Sequence, residues 1–391
     1  MQNQAVYDEL VGKFEKMYGK KPDVVAYAPG RIEVLGNHTD YNAGYVFSAA
    51  IDKGTFFAVS ASDDDSCELT AGDFMETARF TTKTVAPAKE MTWQNYVTGT
   101  FNWLFDGKPE TAPKGWKGMF LGNIPLGAGL SSSAALEMCT ALALCRLYGI
   151  EKDKTTLAKI GQKAEHTFAG CPCGLLDQAS SMYGEEGALV KSDFRFNTFE
   201  SVPMGDGVAF MMVKSNAKHA LVDGAYASRR QACEEAAKYF AGVLRGKKVT
   251  HLRDVTMAEW VLYRGGLSET TAKRAVHPIG EDERVLQGAE LLSKGDLQAF
   301  GALMYDSHES SRSWFENSCE ELDAIVDAAK AIPEVYGARL SGGGFGGSGG
   351  LLVDPAAADK IAAQITKEYK AKFGDEPVCS LIKPSQGARL V

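Results

Sequence analysis

Basic residues are in deficit: 42 Lys and Arg face 50 Asp and Glu, a net charge of −8. That excludes a broad nucleic-acid-binding face, although a few local cations and oriented amides can still hold a nucleotide's phosphates. Long apolar runs are missing too. The most apolar helical stretch, Ala134 to Ile150, is interrupted by Glu137 and Arg146, so no membrane partner is expected. Met1 to Leu10 offers neither a basic leader nor an apolar core, so no export signal is expected and the setting is read as cytoplasmic. Cysteines are few and scattered. Of 8, only Cys171 and Cys173 stand close, and Cys-x-Cys without a second pair or a nearby His is a poor zinc signature; buried, reduced thiols are the better reading. There is no internal repeat, and low complexity is confined to residues 341–350.

What is present centres on Pro125 to Glu137. Gly127 and Gly129 precede Ser131, Ser132 and Ser133, then Ala134 opens an apolar, helix-favouring run. A glycine loop entering a helix presents unpaired N–H groups and the positive end of the helix dipole, an anion site. A serine hydroxyl there can also reach a metal ion riding on phosphates. The stretch is neither a P-loop, for no lysine follows the second glycine, nor a dinucleotide fingerprint, for Gly-x-Gly runs into serines. An ordinary serine-capped helix start is the competing reading.

At 391 residues, two domains or one bilobal unit is the expectation. Ala5 to Tyr18 has the spacing of an amphipathic helix ending at Gly19. Val24 to Ala28 reads as a strand broken by Pro29-Gly30. Arg31 to Leu35 alternates again, with Arg31 and Glu33 on one face. A polar loop, Gly36 to Gly44, follows and is a site candidate. Further strands are expected at Phe56 to Ser60, Cys67 to Thr70, Trp116 to Gly122, Leu189 to Ser192, Val208 to Val213, Leu351 to Val353 and Val378 to Ile382. Helices are expected at Trp93 to Leu104, Ala134 to Tyr148, Lys154 to Phe168 and Tyr226 to Phe240, with mainly helical chain from Met257 to Ala331. Asp177, just past Gly174, is a helix cap or a functional carboxylate. Seven glycines in residues 341–350 make a flexible linker or, given Phe345 and strand-like flanks, a tight loop against a ligand.

Three segments carry a family likeness: Gly30-Arg31 with the loop Gly36-Asn37-His38-Thr39-Asp40-Tyr41-Asn42, Pro125 to Ala135, and Leu340 to Gly347. Supporting stretches are Trp93-x-Asn95-Tyr96-Val97, Ala164-Glu165-His166-x-Phe168-Ala169-Gly170, Pro172-Cys173-Gly174-x-x-Asp177-Gln178, Ser215-Asn216, Lys218-His219, and Tyr226 with Arg229-Arg230-Gln231. Together they resemble the galactokinase branch of the GHMP (galactokinase, homoserine, mevalonate, phosphomevalonate) kinase superfamily over nearly the whole chain. The resemblance implies a two-lobed α+β fold: a ribosomal-protein-S5-like mixed sheet plus helices in residues 1–205, a ferredoxin-like lobe in residues 206–391, and the site between them. It implies ATP-dependent phosphorylation of the C1 hydroxyl of a hexose, galactose first, with Mg²⁺ as cofactor.

By that resemblance Gly127, Ala128, Gly129, Leu130, Ser131, Ser132, Ser133 and Ala134 wrap the ATP phosphates, and Ser132 with Glu165 holds Mg²⁺. Trp93 and Tyr96 lie near adenine, with a core role the rival for Trp93. Asp177 is the base or anchor for the attacking hydroxyl and Arg31 stands beside it. His38, Asp40, Gly174 and Tyr226 grip sugar hydroxyls, while Gly342, Gly343, Gly344, Gly346 and Gly347 close the site structurally. A monomer is expected from family habit.

Two residue types look exchanged relative to that family: Asn37 stands where glutamate is usual, and Glu33 where asparagine is. Both are counted as substrate-binding. Losing the carboxylate removes a charge-assisted contact to the C6 hydroxyl and some repulsion of an acidic C6 group. The alternatives are therefore C1 kinases of galacturonate, arabinose or N-acetylgalactosamine, and last a non-catalytic sugar sensor. Glu33 either restores charge near the sugar or pairs with Arg31. Two lesser departures are Ser313-Trp314-Phe315, expected to alter packing near the lobe interface, and Ser348 in place of a common cysteine, expected to be neutral.

Overall fold

The computed structural model describes residues 2–90, 92–125, 127–217 and 222–391. Lys218-His219 and Leu126 therefore lie outside the described residues. The first seven strands are β1 (Val24–Leu35), β2 (Tyr45–Ala61), β3 (Ser66–Ala71), β4 (Glu76–Thr81), β5 (Trp116–Gly122), β6 (Ala188–Asp193) and β7 (Thr198–Pro203). They form a mixed sheet in the order β1-β2-β5-β3-β4, with β6 on the other half of β2 and β7 beyond it; β3 and β5 run parallel.

The expected break at Pro29-Gly30 is instead a bulge inside one continuous strand. Pro29 faces Gly54, Arg31 faces Ala50, and the register shifts between them. Gly30 is required there, because a Cβ would fall 2.5 Å from the Leu130 carbonyl oxygen. That carbonyl accepts the Arg31 N–H at 3.1 Å, which ties the central loop to the strand. A bulge turns the residues beyond it, and Arg31 and Glu33 both reach one cavity. β2 extends well before Phe56, running through Asp52-Lys53-Gly54. β4 and β7 carry too little apolar alternation to be seen in sequence.

The helix Ser132–Tyr148 packs on β1, β2 and the helices Gln94–Leu104, Lys154–Ala164 and Leu176–Tyr183. It is buried almost all round, as its mainly apolar composition requires. Glu137, which interrupts that run, is wholly buried and accepts from Gln178 Nε2 at 2.9 Å. Among the described residues no helix is long and apolar enough to cross a membrane.

A second, antiparallel sheet holds β8 (Ala209–Lys214), β9 (Val335–Ser341), β10 (Ser348–Val353) and β11 (Val378–Ile382) in the order β11-β8-β10-β9. Counted within the sheet this is 4-1-3-2, with helices Glu320–Lys330 and Ala358–Phe373 packed on it, a ferredoxin-like arrangement. The helices Val222–Val243, Met257–Tyr263, Glu269–Ser293 and Leu297–Ser310 are inserted between β8 and β9. Residues 341–350 are not a linker: β10 begins at Ser348 and includes Gly349 and Gly350. The chain leaves the first sheet at Pro203 and enters the second at Ala209. It returns at its far end, where β12 (Arg389–Leu390) pairs antiparallel with β1.

Candidate active site

Two cavities meet beneath the glycine-rich turn. The smaller, about 390 Å³, is lined by Arg31, Glu33, Asn37, His38, Asp40, Gly174, Asp177 and Tyr226 among others, so every expected sugar residue comes together. The larger, about 710 Å³, is lined by Trp93, Tyr96, residues 127–133 and most of residues 342–347. Arg31, Asp177, Gly342 and Gly343 belong to both. Ala134 is buried behind the loop.

At the junction, Arg31 Nε and Nη2 contact Asp177 Oδ1 at 2.8 and 2.7 Å, and Nη1 donates to the Gly129 carbonyl at 2.7 Å. The Ser131 hydroxyl donates to the other oxygen of Asp177. Ser131 has a left-handed backbone, φ 55°, and makes no side-chain cap. The capped-helix reading of the serine run therefore fails. The amides opening Ser132–Tyr148 stay without a capping side chain and border the larger cavity, which suits an anion.

In the smaller cavity, the loop amides of Gly36 and Asn37 donate to buried Glu281 Oε2 at 2.7 and 2.9 Å. Asn37 Nδ2 donates to Glu33 Oε1 at 2.9 Å and the Gly342 carbonyl at 2.8 Å, and Oδ1 accepts from Asn317 Nδ2 at 2.9 Å. Its amide is thus engaged within the protein. Glu33 does not pair with Arg31: its nearest cation is Arg339, fully buried, with Nη1 3.7 Å from Glu33 Oε1. Burial pushes the Glu33 carboxyl up, while Arg339 and the Asn37 amide pull it down.

His38 Nε2 faces the Gly343 carbonyl at 3.1 Å, an acceptor only, so Nε2 carries the proton; Nδ1 then accepts from the Tyr41 hydroxyl at 2.7 Å. Burial holds this imidazole down at about 4 and hence neutral. Its ring lies 5.1 Å from that of Tyr226 and 4.6 Å from that of Phe315. Phe315 thus packs directly against the site, and Trp314 beside it meets Trp260 at 6.4 Å. Asp40 accepts from the Tyr41 N–H at 2.9 Å, and burial followed by the Glu33 charge pushes its carboxyl up to about 7.

The expected helix from Lys154 ends at Ala164 and continues as a π-turn, Glu165–Ala169, a distortion common at functional sites. It turns Glu165 inward. Burial and then the Asp177 charge push that carboxyl up, while hydrogen bonds from the Cys173 and Ser133 side chains pull it down. No cation among the described residues forms a salt bridge with Glu165. Ser132 is exposed at the rim of the larger cavity.

Several site residues escaped the sequence reading. Asn317 Nδ2 also donates to the Gly343 carbonyl at 3.2 Å, and the Asn317 carbonyl accepts from Phe345 N–H at 2.6 Å. The Ser348 hydroxyl donates to the Ala128 carbonyl at 2.7 Å and ties β10 to the glycine-serine loop. Lys214 Nζ, from the second sheet, lies 3.8 Å from where a Cβ on Gly127 would stand, which brings a cation beside the loop. Phe74 and Phe120 join Trp93 and Tyr96 in lining the larger cavity. Trp93 packs on Phe120 at 5.5 Å and donates Nε1–H to Glu76 at 3.2 Å, combining its core and cavity roles.

Residues 12–61 match the family model of the galactokinase galactose-binding signature, 95–185 that of the GHMP kinases N terminal domain, and 289–371 that of the GHMP kinases C terminal. The galactokinase of Haemophilus influenzae is 37% identical over 382 residues, covering 97% of each chain. That of Glaesserella parasuis is 36% identical over 383 residues, covering 97% of this chain and 98% of its own. The crystal structure of Lactococcus lactis galactokinase complexed with galactose superposes with a TM-score of 0.93 at 28% identity, covering 98% of this chain and 99% of that one. Likeness this even, in sequence from end to end and in the course of the backbone, means that the chain belongs to the galactokinase family of the GHMP kinases.

Proposed function

We propose that this chain transfers the γ-phosphoryl group of ATP to the C1 hydroxyl of galactose. The observation that carries this reading is the meeting of the two cavities at Arg31 and Asp177. A sugar in the smaller cavity and a nucleotide in the larger one bring their reacting ends to the same pair. Such transfer rests on positioning and charge stabilisation.

Asp177 accepts the hydrogen bond of the C1 hydroxyl and takes its proton as the phosphoryl group moves. Arg31 fixes the carboxylate and stabilises negative charge in transit. The sugar is gripped by Asp40, with Gly174, His38 and Tyr226 shaping the cavity; Glu33 and Asn37 position its far wall. Residues 127–134 and Lys214 receive the phosphates, and Trp93 and Tyr96 pack near adenine. The loop 342–347 closes over both ligands. Residues 1–205 with β12 act as one lobe and the rest as the other.

Glu165 fits a divalent cation, since it is a buried carboxylate beside Ser133 that forms no salt bridge among the described residues, and the nearby Asp177 charge adds to the negative potential there. Ser132 and Glu165 would hold Mg²⁺, with Ser133 beside them. Bound there, the ion supplies charge neutralisation across the phosphates. Three carboxylates in the sugar cavity, Glu33, Asp40 and Asp177, oppose an anionic sugar, so a uronate is disfavoured.

The test is ATP consumption with Mg²⁺ against galactose, galacturonate, arabinose, N-acetylgalactosamine and glucose. Galactose should turn over fastest, and Asp177→Asn should lower kcat by roughly 10²–10⁴-fold. Faster turnover of another sugar would overturn the substrate assignment. Galactose binding without any turnover would overturn the enzyme.

A further inference from the structure

Cys171 and Cys173 lack a third metal ligand in the sequence, and the fold supplies one. The π-turn brings the chain back so that the Cys171 N–H donates to the Glu165 carbonyl at 3.0 Å. Pro172 then centres a three-residue turn in which the Cys173 N–H donates to the Cys171 carbonyl at 2.9 Å. The Cys173 carbonyl is held in turn by His166 Nε2 at 2.8 Å and Gln162 Nε2 at 3.3 Å. One ligand atom from each of Glu165, Cys171 and Cys173 consequently falls within 4.8 Å of the others. Glu165 is buried, Cys173 half-buried and Cys171 exposed, so the cluster has an open side for a cation to enter.

We propose that Glu165, Cys171 and Cys173 form a site for a soft divalent cation, zinc or cadmium, with water as the fourth ligand. Two thiolates and one carboxylate make a donor set that zinc accepts in tetrahedral geometry and that magnesium, which prefers oxygen, does not. Each thiol exchanges its proton for the metal, and the protons pass to the buffer. Occupation withdraws Glu165 from Mg²⁺, so zinc inhibits the kinase. This consequence rests on the proposed function, whereas binding itself does not.

The experiment takes the full chain, reduced with a phosphine and stripped of metal, and titrates it with Cd²⁺ while following the ultraviolet absorption of cadmium thiolate. Cys171→Ser and Cys173→Ser are run beside it, their folding checked by circular dichroism. Expected is a component saturating at one Cd²⁺ per chain, weakened at least about tenfold in each variant, since even loss of an outer-shell partner costs that much. Glu165→Gln should weaken it while keeping the thiolate absorption. With Mg²⁺ and ATP fixed, the zinc concentration that halves each protein's own zinc-free rate should rise about tenfold in Cys171→Ser. Absorption unchanged in both serine variants, or lost in only one, overturns the site. Zinc inhibition identical in wild type and Cys171→Ser overturns its effect on catalysis. Cadmium binding as described in a chain that phosphorylates no sugar supports the site and sinks the kinase reading.

Discussion

Gly174 and Asp40 touch so closely that a Cβ on the glycine would lie 1.5 Å from Asp40 Oδ2. Two loops far apart in sequence are thereby locked, and the carboxylate is held against bare backbone. Gly174→Ala must push Asp40 away from the sugar cavity. Losing a charge-assisted hydrogen bond costs about 1.5–3 kcal/mol, so KM for galactose should rise roughly 10- to 100-fold. KM for ATP should not change. Steady-state kinetics decide it, and an equal rise in both constants would mean general damage instead.

Asp40 also predicts a pH dependence. Its carboxyl stands at about 7 in the folded chain against an ordinary 3.8. A raised acid stabilises the fold below its unfolded value and loses that contribution as pH rises through the folded value. Between 3.8 and about 7, Asp40 therefore lowers the stability of the free protein as pH climbs. Asp40→Asn should flatten that part of the Tm–pH curve relative to wild type. Sugar hydroxyls donate to the ionised carboxylate, so galactose binding at about pH 6 should release a proton. Calorimetry in buffers of differing ionisation enthalpy measures it; release undiminished in Asp40→Asn refutes the assignment.

The Glu33–Asn37 pair should behave as a unit. Asn37→Glu alone places a second carboxylate against Glu33, near Glu281, and removes both amide donors. An uncompensated buried charge costs about 3–5 kcal/mol, readable as a lower urea midpoint. The double substitution Glu33→Asn with Asn37→Glu should recover at least half of the loss. Simple additivity of the two single effects would show that the residues are not coupled.

Lys214 should matter to the nucleotide only. Lys214→Met is expected to raise KM for ATP roughly tenfold, in line with losing one hydrogen bond to a charged group, and to leave KM for galactose alone. An unchanged ATP constant removes Lys214 from the phosphate side.

How much of this was readable beforehand depended on how local the cause was. The glycine-serine loop, the helix after it and the polar loop at residues 36–44 carry their signals within a few residues. The bulge at Gly30 does not, because the contact that demands glycine comes from Leu130. Nor do the partners of Asn37, since Asn317 and Gly342 lie 280 and 305 residues further on. Strand alternation rightly put Glu33 and Arg31 on one face. It could not say that Arg339 would face the first and Asp177 the second. The π-turn at Glu165 was equally hidden, as its residues read as ordinary helix.

The returning strand bears on how the chain is made. β12 covers the outer edge of the strand bearing Arg31, the Ser385 N–H donates to the Ala50 carbonyl at 2.9 Å, and the Ala388 N–H donates to the Ser181 carbonyl at 2.8 Å. Ser181 lies in the same helix as Asp177. During synthesis from the amino end, Arg31 and Asp177 both wait on a partner that emerges from the ribosome more than 200 residues after the second of them. Until then β1 presents an unpaired edge, the feature by which nascent chains stick to one another. A chain stalled or truncated before residue 384 would hold all its phosphate- and sugar-side residues yet leave the ribosome as a client for chaperones.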